Sequence, residues 1–231
     1  MGSFPQSIVH YLPVTDHDER WGIVCTTAGY QNVPPGSPYP LTQHPDSYSF
    51  TRSRGRVLGE YQLLYIVSGQ GEFRSASSPA APVKAGTVVM LFPDEWHTYA
   101  PDPETGWEEW WVGFRGENID RRVAEGFFSP KTPLLHIGHS AGIVSCYQEI
   151  IRSAEEERKG FQQLVTRIVL HLLGSVLFKR DNLQYLDNPI VEKINRAREM
   201  MRRHIGDNLP PEEIARRLNI GYTWFRRTFR A

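Results

Sequence analysis

The last fourteen residues of the 231-residue sequence, LNIGYTWFRRTFRA, combine arginines with aromatic side chains at helical spacing. Phe225 and Phe229 are four residues apart, so in a helix they would share the face that packs against a core. The opposite face would carry Thr223, Arg226, Arg227 and Arg230. Because arginine binds phosphates and reads guanine edges, this pattern predicts a contact with nucleic acid. A helix with a merely solvated basic face is the alternative.

The distribution of charge favours the first of these interpretations. Residues 189–231 contain ten Lys/Arg and five Asp/Glu, a net of +5, whereas the whole chain has a formal net charge of zero. The remaining residues 1–188 must therefore be acidic. A basic terminal module on an acidic body is typical of nucleic-acid-binding proteins, although a randomly solvated surface would show the same count.

The histidines and cysteines do not predict catalytic chemistry. His97 is the one histidine within the predicted strand that would have to supply metal ligands, and His136 and His139 lie outside it. A metal site needs several histidines and a carboxylate on one ion. Cys25 and Cys146 have neither zinc-site nor disulfide spacing. The sequence therefore predicts no catalytic residue, no metal and no cofactor.

Targeting signals are also not recognisable in the sequence. The N-terminus has no basic region followed by a long apolar run, as a signal peptide would. The longest apolar run, residues 168–178, is interrupted by His171, Gly174 and Ser175, which argues against a membrane span. Hydrophobic residues make up 40% of the chain, enough for a folded core. We expect a soluble cytoplasmic protein that does not associate with membranes.

Residues 21–115 read as a series of short strands. Runs of branched and aromatic residues alternate with Pro- and Gly-rich joints, as in WGIVCTTAGY, YQLLYIV, AGTVVMLFP and GWEEWWVGF. The SGQG segment after Val67 predicts a turn between two strands. Many short strands with such punctuation are typical of a β-sandwich or barrel.

Beyond residue 140 the period of the pattern becomes helical. Two helices are predicted, over 140–158 and 161–179, and Gly160 separates them. In the second helix the apolar face is so broad that packing on its own domain would use only part of it. The surplus predicts a dimer surface that includes Leu164, Ile168, Leu172 and Leu173. Packing within one chain is the alternative.

The remaining C-terminal residues predict three more helices. The polar segment 181–188 reads as a linker, and Asn188-Pro189 begins a helix that ends at Gly206. Its apolar face would consist of Ile190, Ile194, Ala197, Met201 and Ile205. A short helix begins near Pro211, and a turn at Gly221 leads to the final arginine-rich helix. Two short helices across a tight turn form a helix-turn-helix.

The segment LPPEEIARRLNIGYTWFRRTFR resembles the first helix-turn-helix of AraC-family transcriptional regulators, with Ala215, Ile220, Phe225, Arg227 and Phe229 in the motif positions. Gly221 stands where the family has a capping serine, and glycine is an acceptable cap. The resemblance implies that Thr223, Arg226 and Arg227 face DNA. The family has a second such motif, and none follows Ala231. On this comparison the chain is expected to end after the first motif and to bind DNA half-sites weakly.

The resemblance extends upstream to EYQLLYIVSGQGEF, AGTVVMLFPDEWHTYAPD and ETGWEEWWVGFRG, which look like the cupin-type effector domain of sugar-responsive members. It implies a cavity in which Arg54, Tyr99, Glu109 and Trp111 contact a sugar or a similar polar ligand. Glu109 departs from the histidine of the family pattern, which leaves the ligand open. His97 is a weaker candidate for ligand contact, and a structural, hydrogen-bonded histidine is its alternative role.

Strand alternation leaves the orientation of two of these residues open. Trp107, Glu109 and Trp111 share one face of a strand, and the more apolar Trp110, Val112 and Phe114 share the other. If the second face fills the core, Glu109 faces water. Periodicity determines only which residues face the same way, so either face can line the interior.

Taken together, these patterns predict an α+β chain in four parts. A cupin (jelly-roll) β-barrel for effector binding covers 1–137, and a helical dimerisation hairpin covers 138–180. A linker covers 181–188, and a partial all-α helix-turn-helix DNA-binding domain covers 189–231. The predicted function is a ligand-responsive bacterial transcription regulator, a homodimer that binds DNA and a small-molecule effector. The alternatives are a metal-dependent cupin enzyme, such as an isomerase or dioxygenase, and a dimerising protein whose barrel binds no ligand.

Overall fold

A computed structural model describes residues 7–39, 48, 51, 53–186, 193, 197, 200, 201 and 210–230, with the backbone alone at 184–186 and 228–230. The chain divides into two compact units, residues 1–180 and 181–231. The first unit contains every strand described below. The second contains the helices expected to bind DNA.

The first unit is built on eight strands: β1 (Ser7–Tyr11), β2 (Val24–Val33), β3 (Tyr61–Ser75), β4 (Ala81–Lys84), β5 (Thr87–Leu91), β6 (His97–Pro101), β7 (Trp107–Arg115) and β8 (Leu134–His136). Its helices are α1 (Asp16–Glu19), α2 (Glu117–Ala124), α3 (Ala141–Glu156) and α4 (Phe161–Leu186), and the last extends past residue 180. Four of the strands, β2, β3, β5 and β7, coincide with the apolar runs of the sequence that alternate with turn residues.

The strands form one antiparallel sheet in the order β1-β2-β7-β3-β5-β8, with β4 and β6 paired to the second half of β3. The sheet therefore rolls into the cupin-type, jelly-roll barrel that the sequence predicts. The long strand β3 belongs to both halves of the barrel, since Tyr61–Ile66 pair with β5 and β7 and Gly71–Ser75 pair with β6.

The turn predicted at SGQG is wrong, because β3 continues through it. The register shifts between Ile66 and Ser68, and Gly69 has a φ of +79°. A bulge and a left-handed glycine bend the strand without ending it, which allows it to pass from one half of the barrel to the other. A Cβ on Gly69 would lie 2.1 Å from the carbonyl oxygen of Gly106. The bend therefore also requires a residue without a side chain at this position.

Both faces of β7 are buried, each in a different core. Trp107 and Trp111 pack inside the barrel with Tyr99, whereas Trp110 and Phe114 pack outside it with residues of α3 and α4. Because helices cover the outer face, the more apolar side of the strand points outward and Glu109 points inward. The alternative in which Glu109 faces water is therefore wrong.

Helix α4 packs on the barrel through side chains that the sequence assigned to a dimer. Ile168, Leu172 and Leu173 are at most 3% exposed and belong to the outer core, while Leu164 is 42% exposed. At the start of α4, the Gln162 amide accepts from the N–H of Cys25 and donates to its carbonyl, at 3.0 and 2.9 Å. The assignment of Ile168, Leu172 and Leu173 to an intermolecular surface is thus corrected, since they are already covered within the chain.

The same helix is longer than the sequence pattern indicates. It runs to Leu186, so the proposed linker 181–188 begins inside a helix. Its segment Phe161–Leu183 has a mean hydropathy of 1.4 and is long enough to cross a membrane by length and composition, and 44% of the most apolar window is buried. The core helix of a soluble protein meets the same criteria. One face of α4 is buried in the outer core in the same way.

The second unit contains α5 (Pro211–Arg217) and α6 (Tyr222–Arg230), with a small core formed by Ala197, Ile214, Ala215 and Phe225. Of the apolar face predicted for the preceding helix, Ala197 and Met201 are helical, and Ile190, Ile194 and Ile205 lie outside the described residues.

The turn between the two helices is made at Asn219, whereas the sequence pattern predicts it at Gly221. Asn219 has a φ of +51°, and its N–H donates to Arg216 O while the N–H of Ile220 donates to Ala215 O. These two bonds close a Schellman motif, in which asparagine tolerates the left-handed conformation. Gly221 follows it and accepts from the N–H of Phe225 in the first turn of α6.

Candidate functional site

A cavity lies inside the barrel, between β1, β2, β3, β6 and β7. Its free volume is about 30 Å³, which is room for one or two water molecules. Aromatic, amide and charged side chains line it: Val9, Tyr11, Thr27, Gln31, Tyr39, Tyr48, Arg56, Gln62, Tyr99, Glu109 and Trp111. A cavity with this mixture favours a polar molecule that also has apolar faces.

Arg56 is the positive charge of the cavity. Its guanidinium donates to the hydroxyl of Tyr99 and to the carbonyl of Tyr48, both at 2.7 Å, and lies 3.5 Å from Gln62 Oε1. It also lies 5.6 Å from the centroid of the Tyr99 ring. These contacts hold the planar donor group at the wall of the cavity, where it can meet an oxygen of a ligand.

His97 supports Arg56 from behind the cavity wall. Its Nδ1 is 3.0 Å from the carbonyl of Glu95, which can only accept, so Nδ1 carries the proton and Nε2 accepts from Arg56 Nε at 3.3 Å. Burial, and then the Arg56 charge, lower the pKa of His97 to about 4. The imidazole is therefore neutral at pH 7 and orients the guanidinium without lining the cavity.

Glu109 is the acid of the cavity and is 1% exposed. Its Oε1 accepts from the amide of Gln31 and, at 3.1 Å, from the hydroxyl of Tyr39. Its Oε2 has no hydrogen-bond partner among the described residues. Burial raises the pKa of Glu109 to about 7, against the opposing effect of the hydrogen bonds from Gln31 and Tyr39. The carboxyl can thus change its ionisation near neutral pH.

A second buried carboxylate, Glu60, lies behind the cavity lining. Its Oε1 accepts from Gln62 at 2.9 Å and from Thr27 at 3.4 Å, and its Oε2 accepts from Tyr48 at 3.1 Å. It lies against Gly113, where a Cβ would come within 2.4 Å of Oε1. Each of its oxygens has a donor, unlike those of Glu109.

Trp111 supplies a flat apolar wall, and Gly29 makes room for it. The two residues are opposite each other in the pairing of β2 and β7, and a Cβ on Gly29 would lie 2.1 Å from the indole ring. The ring therefore lies across the bare backbone of β2. A glycine inside a strand is the kind of sequence signal that marks such a close approach.

The helices of the second unit present the predicted basic face. Thr223, Arg226 and Arg227 are exposed on α6, and Phe225 is buried on its other side. The side chain of Arg230 lies outside the described residues. On α5, Arg216 and Arg217 both bind the carboxylate of Glu213, at 2.8 and 2.7 Å, which holds the pKa of that exposed group down, to about 2.

Among the residues with described positions, no group of three or more His, Cys, Asp or Glu side chains could hold a metal ion. Among the described residues, Glu109 is the carboxylate that lines the cavity. Glu60 and His97 lie behind the wall and are hydrogen-bonded to the lining residues Gln62 and Arg56. The chemistry of the cavity is that of hydrogen bonding and charge.

Comparison with known families shows to which family the chain belongs. The sequence profile of the AraC-like ligand binding domain matches residues 35–173, which is more than half of the protein. The chain belongs to the AraC family. The match covers the strands β3 to β8, which supply Gln62, Tyr99, Glu109 and Trp111 to the cavity, and helix α3 with part of α4.

Two curated proteins are similar to this chain in sequence. The Msm operon regulatory protein of Streptococcus mutans is 22% identical over 177 residues, 75% of this chain and 63% of that protein. The raffinose operon transcriptional regulatory protein RafR of Pediococcus pentosaceus is 29% identical over 94 residues, 39% of this chain and 34% of that protein. The chain thus spans less than two thirds of the length of either relative.

Among solved structures, the AraC-like transcriptional activator CuxR is 14% identical, and the match covers 94% of this chain and 78% of that one, with a TM-score of 0.35. A cupin 2 conserved barrel domain protein from Salinispora arenicola is 18% identical over 52% of this chain and 82% of that one, with a TM-score of 0.31.

In this AraC-family barrel, the predicted ligand residues are only partly brought together. Tyr99, Glu109 and Trp111 line the cavity and His97 lies directly behind it, but Arg54 is exposed and does not line it. The expectation that Arg54 points into the cavity is wrong, and Arg56 takes that position.

The local backbone explains why Arg56 lines the cavity and Arg54, two residues earlier, does not. Arg54 belongs to a turn: its N–H donates to Thr51 Oγ1, its carbonyl accepts from Trp96 Nε1, and Gly55 has a φ of +62°. Arg56 then forms a β-bridge with His97, with N–H···O bonds of 2.9 and 3.0 Å in both directions. The bridge turns the Arg56 side chain toward β6 and Tyr99.

Several residues that contact or support the cavity were not identified from sequence, among them Gln31, Tyr39, Arg56, Glu60 and Gln62. Gln31 meets Glu109 because the two are opposite in the register of β2 and β7, and no pattern within either strand indicates that register. The available signal was that Glu60 and Gln62 are polar residues in an otherwise apolar stretch. Buried polar groups require partners, so these two residues indicate a polar site.

Proposed function

We propose that this chain senses a polar small molecule, a sugar or similar polyol, in a bacterial transcription regulator. The observation that carries the proposal is the polar cavity of the barrel, in which the Arg56 guanidinium, the Glu109 carboxylate and the flat indole of Trp111 surround one space. A sugar offers hydroxyl groups at its rim and apolar ring faces, so it needs both directed hydrogen bonds and an aromatic surface. The relative named for a raffinose operon supports a sugar.

Binding a molecule larger than water requires lining side chains to move, since the free volume is about 30 Å³. Tyr39 is suited to this, because its hydroxyl lies 3.1 Å from Glu109 Oε1 at the cavity and its ring contacts Tyr99 and Trp107. A ligand group that replaces the Tyr39 hydroxyl on Glu109 would exchange one hydrogen bond for another. Ligand binding would thereby be coupled to the position of the segment that carries Tyr39.

The output of the regulator is DNA binding through α5 and α6. The exposed Thr223, Arg226 and Arg227 are the contacts that we propose on α6, together with Arg230 from the sequence pattern. Arginine side chains on an exposed helix can neutralise phosphates and reach base edges in the major groove. The protein would act by binding, in the cytoplasm, and would catalyse no reaction. The two curated relatives, both operon regulators by name, support this.

The regulator would act as a homodimer through the outer strip of α4. Exposed positions recur at intervals of three and four along it: Leu164, Arg167, His171, Gly174 and Phe178. Leu164 and Phe178 are 42% and 64% exposed, and the presence of both apolar side chains on one strip of a helix supports a partner there. Ile168, Leu172 and Leu173 are not part of this surface.

The test of ligand sensing compares Arg56→Ala with Arg54→Ala. A panel of mono- and oligosaccharides, raffinose included, is screened by thermal shift, and any binder is titrated by calorimetry. Arg56→Ala should weaken binding about ten- to a hundredfold, because it removes hydrogen bonds from a charged donor. Arg54→Ala should bind like the parent. Equal affinity in parent and Arg56→Ala, or no binder in the panel, would contradict the proposal.

A further inference from the structure

Buried charge in and around the cavity does not balance. Glu60 and Glu109 are both carboxylates at most 5% exposed, and Arg56 is the one cation among the lining residues. His97, which contacts Arg56, is neutral at pH 7. Taking ionised carboxylates out of water is costly unless positive charge or hydrogen bonds compensate for it. Among the described residues of this region, two ionised carboxylates would thus face one positive charge.

The shortfall is located at Glu109. Both oxygens of Glu60 accept hydrogen bonds from neighbouring side chains. At Glu109 the two hydrogen-bond donors, Gln31 and Tyr39, converge on Oε1. The Trp107 indole also favours the ionised form, but neither its N–H nor Glu109 Oε2 has a hydrogen-bond partner in the part of the chain that the structure describes. Arg56 donates hydrogen bonds to neutral acceptors, among them Tyr99, the Tyr48 carbonyl and His97, and its charge also acts on Glu109. An acceptor oxygen thus remains open at the cavity wall.

We propose that the ligand of this cavity carries a protonated amine that donates to Glu109 Oε2, so that the preferred class is an amino sugar or another polyhydroxylated amine. The inference rests on the proposed function, since it names the chemical class of the molecule sensed. An ammonium group satisfies the open acceptor and supplies the missing positive charge in one step. A neutral hydroxyl satisfies the acceptor alone.

The surrounding rings suit the same group. Tyr39, Tyr99 and Trp111 line the cavity. Aromatic faces attract cations within about 6 Å of the ring centre, more strongly when water is excluded. Arg56, across the cavity, remains the donor for a hydroxyl or ring oxygen at the other end of the ligand. The two charged side chains would therefore orient the molecule.

The experiment uses pairs of sugars that differ in one group: D-glucosamine and D-glucose, D-galactosamine and D-galactose, and D-mannosamine and D-mannose. Dissociation constants are measured by calorimetry at pH 7 for the parent, for Glu109→Gln and for Glu108→Gln. The glutamine at position 109 retains an acceptor for Gln31 and Tyr39 and removes the charge. Glu108 is the matched control, because it is the adjacent residue of β7 and faces the other way. Melting temperatures confirm that each variant is folded.

In at least one pair the amine should bind about tenfold or more tightly than its hydroxyl counterpart. The ratio should fall to near one in Glu109→Gln and stay unchanged in Glu108→Gln. If neutral sugars bind and no amine binds more tightly, the inference is overturned and the proposed sugar sensor stands. An amine preference that persists in Glu109→Gln overturns the assignment to this residue. If no probe binds and the wider saccharide panel is also negative, both proposals fail.

Discussion

At the level of single residues, the carboxyl of Glu109 is surrounded by groups from several elements that act on its charge in opposite directions. Gln31 from β2 and Tyr39 donate to Oε1 and stabilise the ionised form, and the Arg56 charge also favours it. Burial opposes ionisation and is the largest effect, so the pKa rises to about 7. The phenol of Tyr99 and the imidazole of His97 add no charge at neutral pH, since burial raises the pKa of Tyr99 to about 12 and lowers that of His97 to about 4.

This shift predicts how stability depends on pH. The unfolded chain loses the Glu109 proton near its ordinary pKa of 4.5, whereas the folded protein keeps it up to about 7. The free energy of unfolding should therefore fall, by about 3 kcal/mol in total, as the pH rises from about 4.5 to about 7. Glu109→Gln has no carboxyl to ionise at this position, so its free energy of unfolding should not fall in this way. Relative to the parent it should gain about 3 kcal/mol between about pH 4 and about pH 8.

Urea denaturation of the ligand-free parent and variant across this pH range measures the effect. Glu108→Gln serves as the control and should follow the parent. If the stability curves of the parent and Glu109→Gln stay parallel from pH 4 to pH 8, burial of Glu109 does not raise its pKa in the folded state.

At the level of elements, helix α4 has two faces with different roles. Val165, Val169, Leu172 and Val176 are fully buried in the outer core of the barrel unit, and the opposite strip exposes Leu164 and Phe178. A charge placed on the first face would be buried without a partner, whereas a charge placed on the second would remain in water unless a partner covers it. The two faces can therefore be separated by the same substitution.

We expect Leu172→Asp to unfold the barrel unit or to lower its melting temperature sharply, because it buries an unpaired carboxylate and leaves a cavity. Phe178→Asp should keep the melting temperature of the folded unit and convert dimer to monomer. Circular dichroism and sedimentation equilibrium measure the two properties on the same samples. A parent that is monomeric at high concentration, or a Phe178→Asp variant that remains dimeric, would rule out the outer strip of α4 as the dimer surface.

At the level of the whole molecule, the chain combines a cupin-type barrel with a basic helical unit. The exposed arginines of α6 are the residues with which the second unit would neutralise phosphates. On α5, in contrast, Arg216 is engaged by Glu213 through two bonds of 2.8 Å. This difference between neighbouring helices offers a matched pair of substitutions.

Binding of the parent to a short mixed-sequence DNA duplex is expected to weaken with salt, and Arg226→Ala and Arg227→Ala should each reduce the slope of log affinity against log salt by about one. Arg216→Ala should change the slope less, since its charge is already paired. Fluorescence anisotropy over a salt series gives all four slopes. Unchanged slopes for both α6 variants would leave these arginines as a solvated face, and a steep loss only in Arg216→Ala would move the DNA contact to α5.

The sequence by itself determined the classes of element and which residues share a face. Apolar alternation and turn residues predicted the strands β2, β3, β5 and β7, and the spacing of Phe225 from Arg226 and Arg227 separated the buried and exposed sides of α6. These properties are local, because they depend on the period of a helix or strand and on neighbours within a few residues. The family resemblance implied cavity positions for Tyr99 and Trp111, while strand alternation left the orientation of Trp111 open.

The tertiary structure decided which way each face points and which distant residues meet. Glu109 faces inward because helices cover the other side of β7, and it meets Gln31, 78 residues away, through the register of two strands. Arg56 enters the cavity in place of Arg54 because a turn at Gly55 precedes its bridge to β6. Leu172 is buried within the chain because α4 packs on the barrel. Periodicity is the same for either orientation of a strand or helix, so only packing against the rest of the molecule distinguishes them.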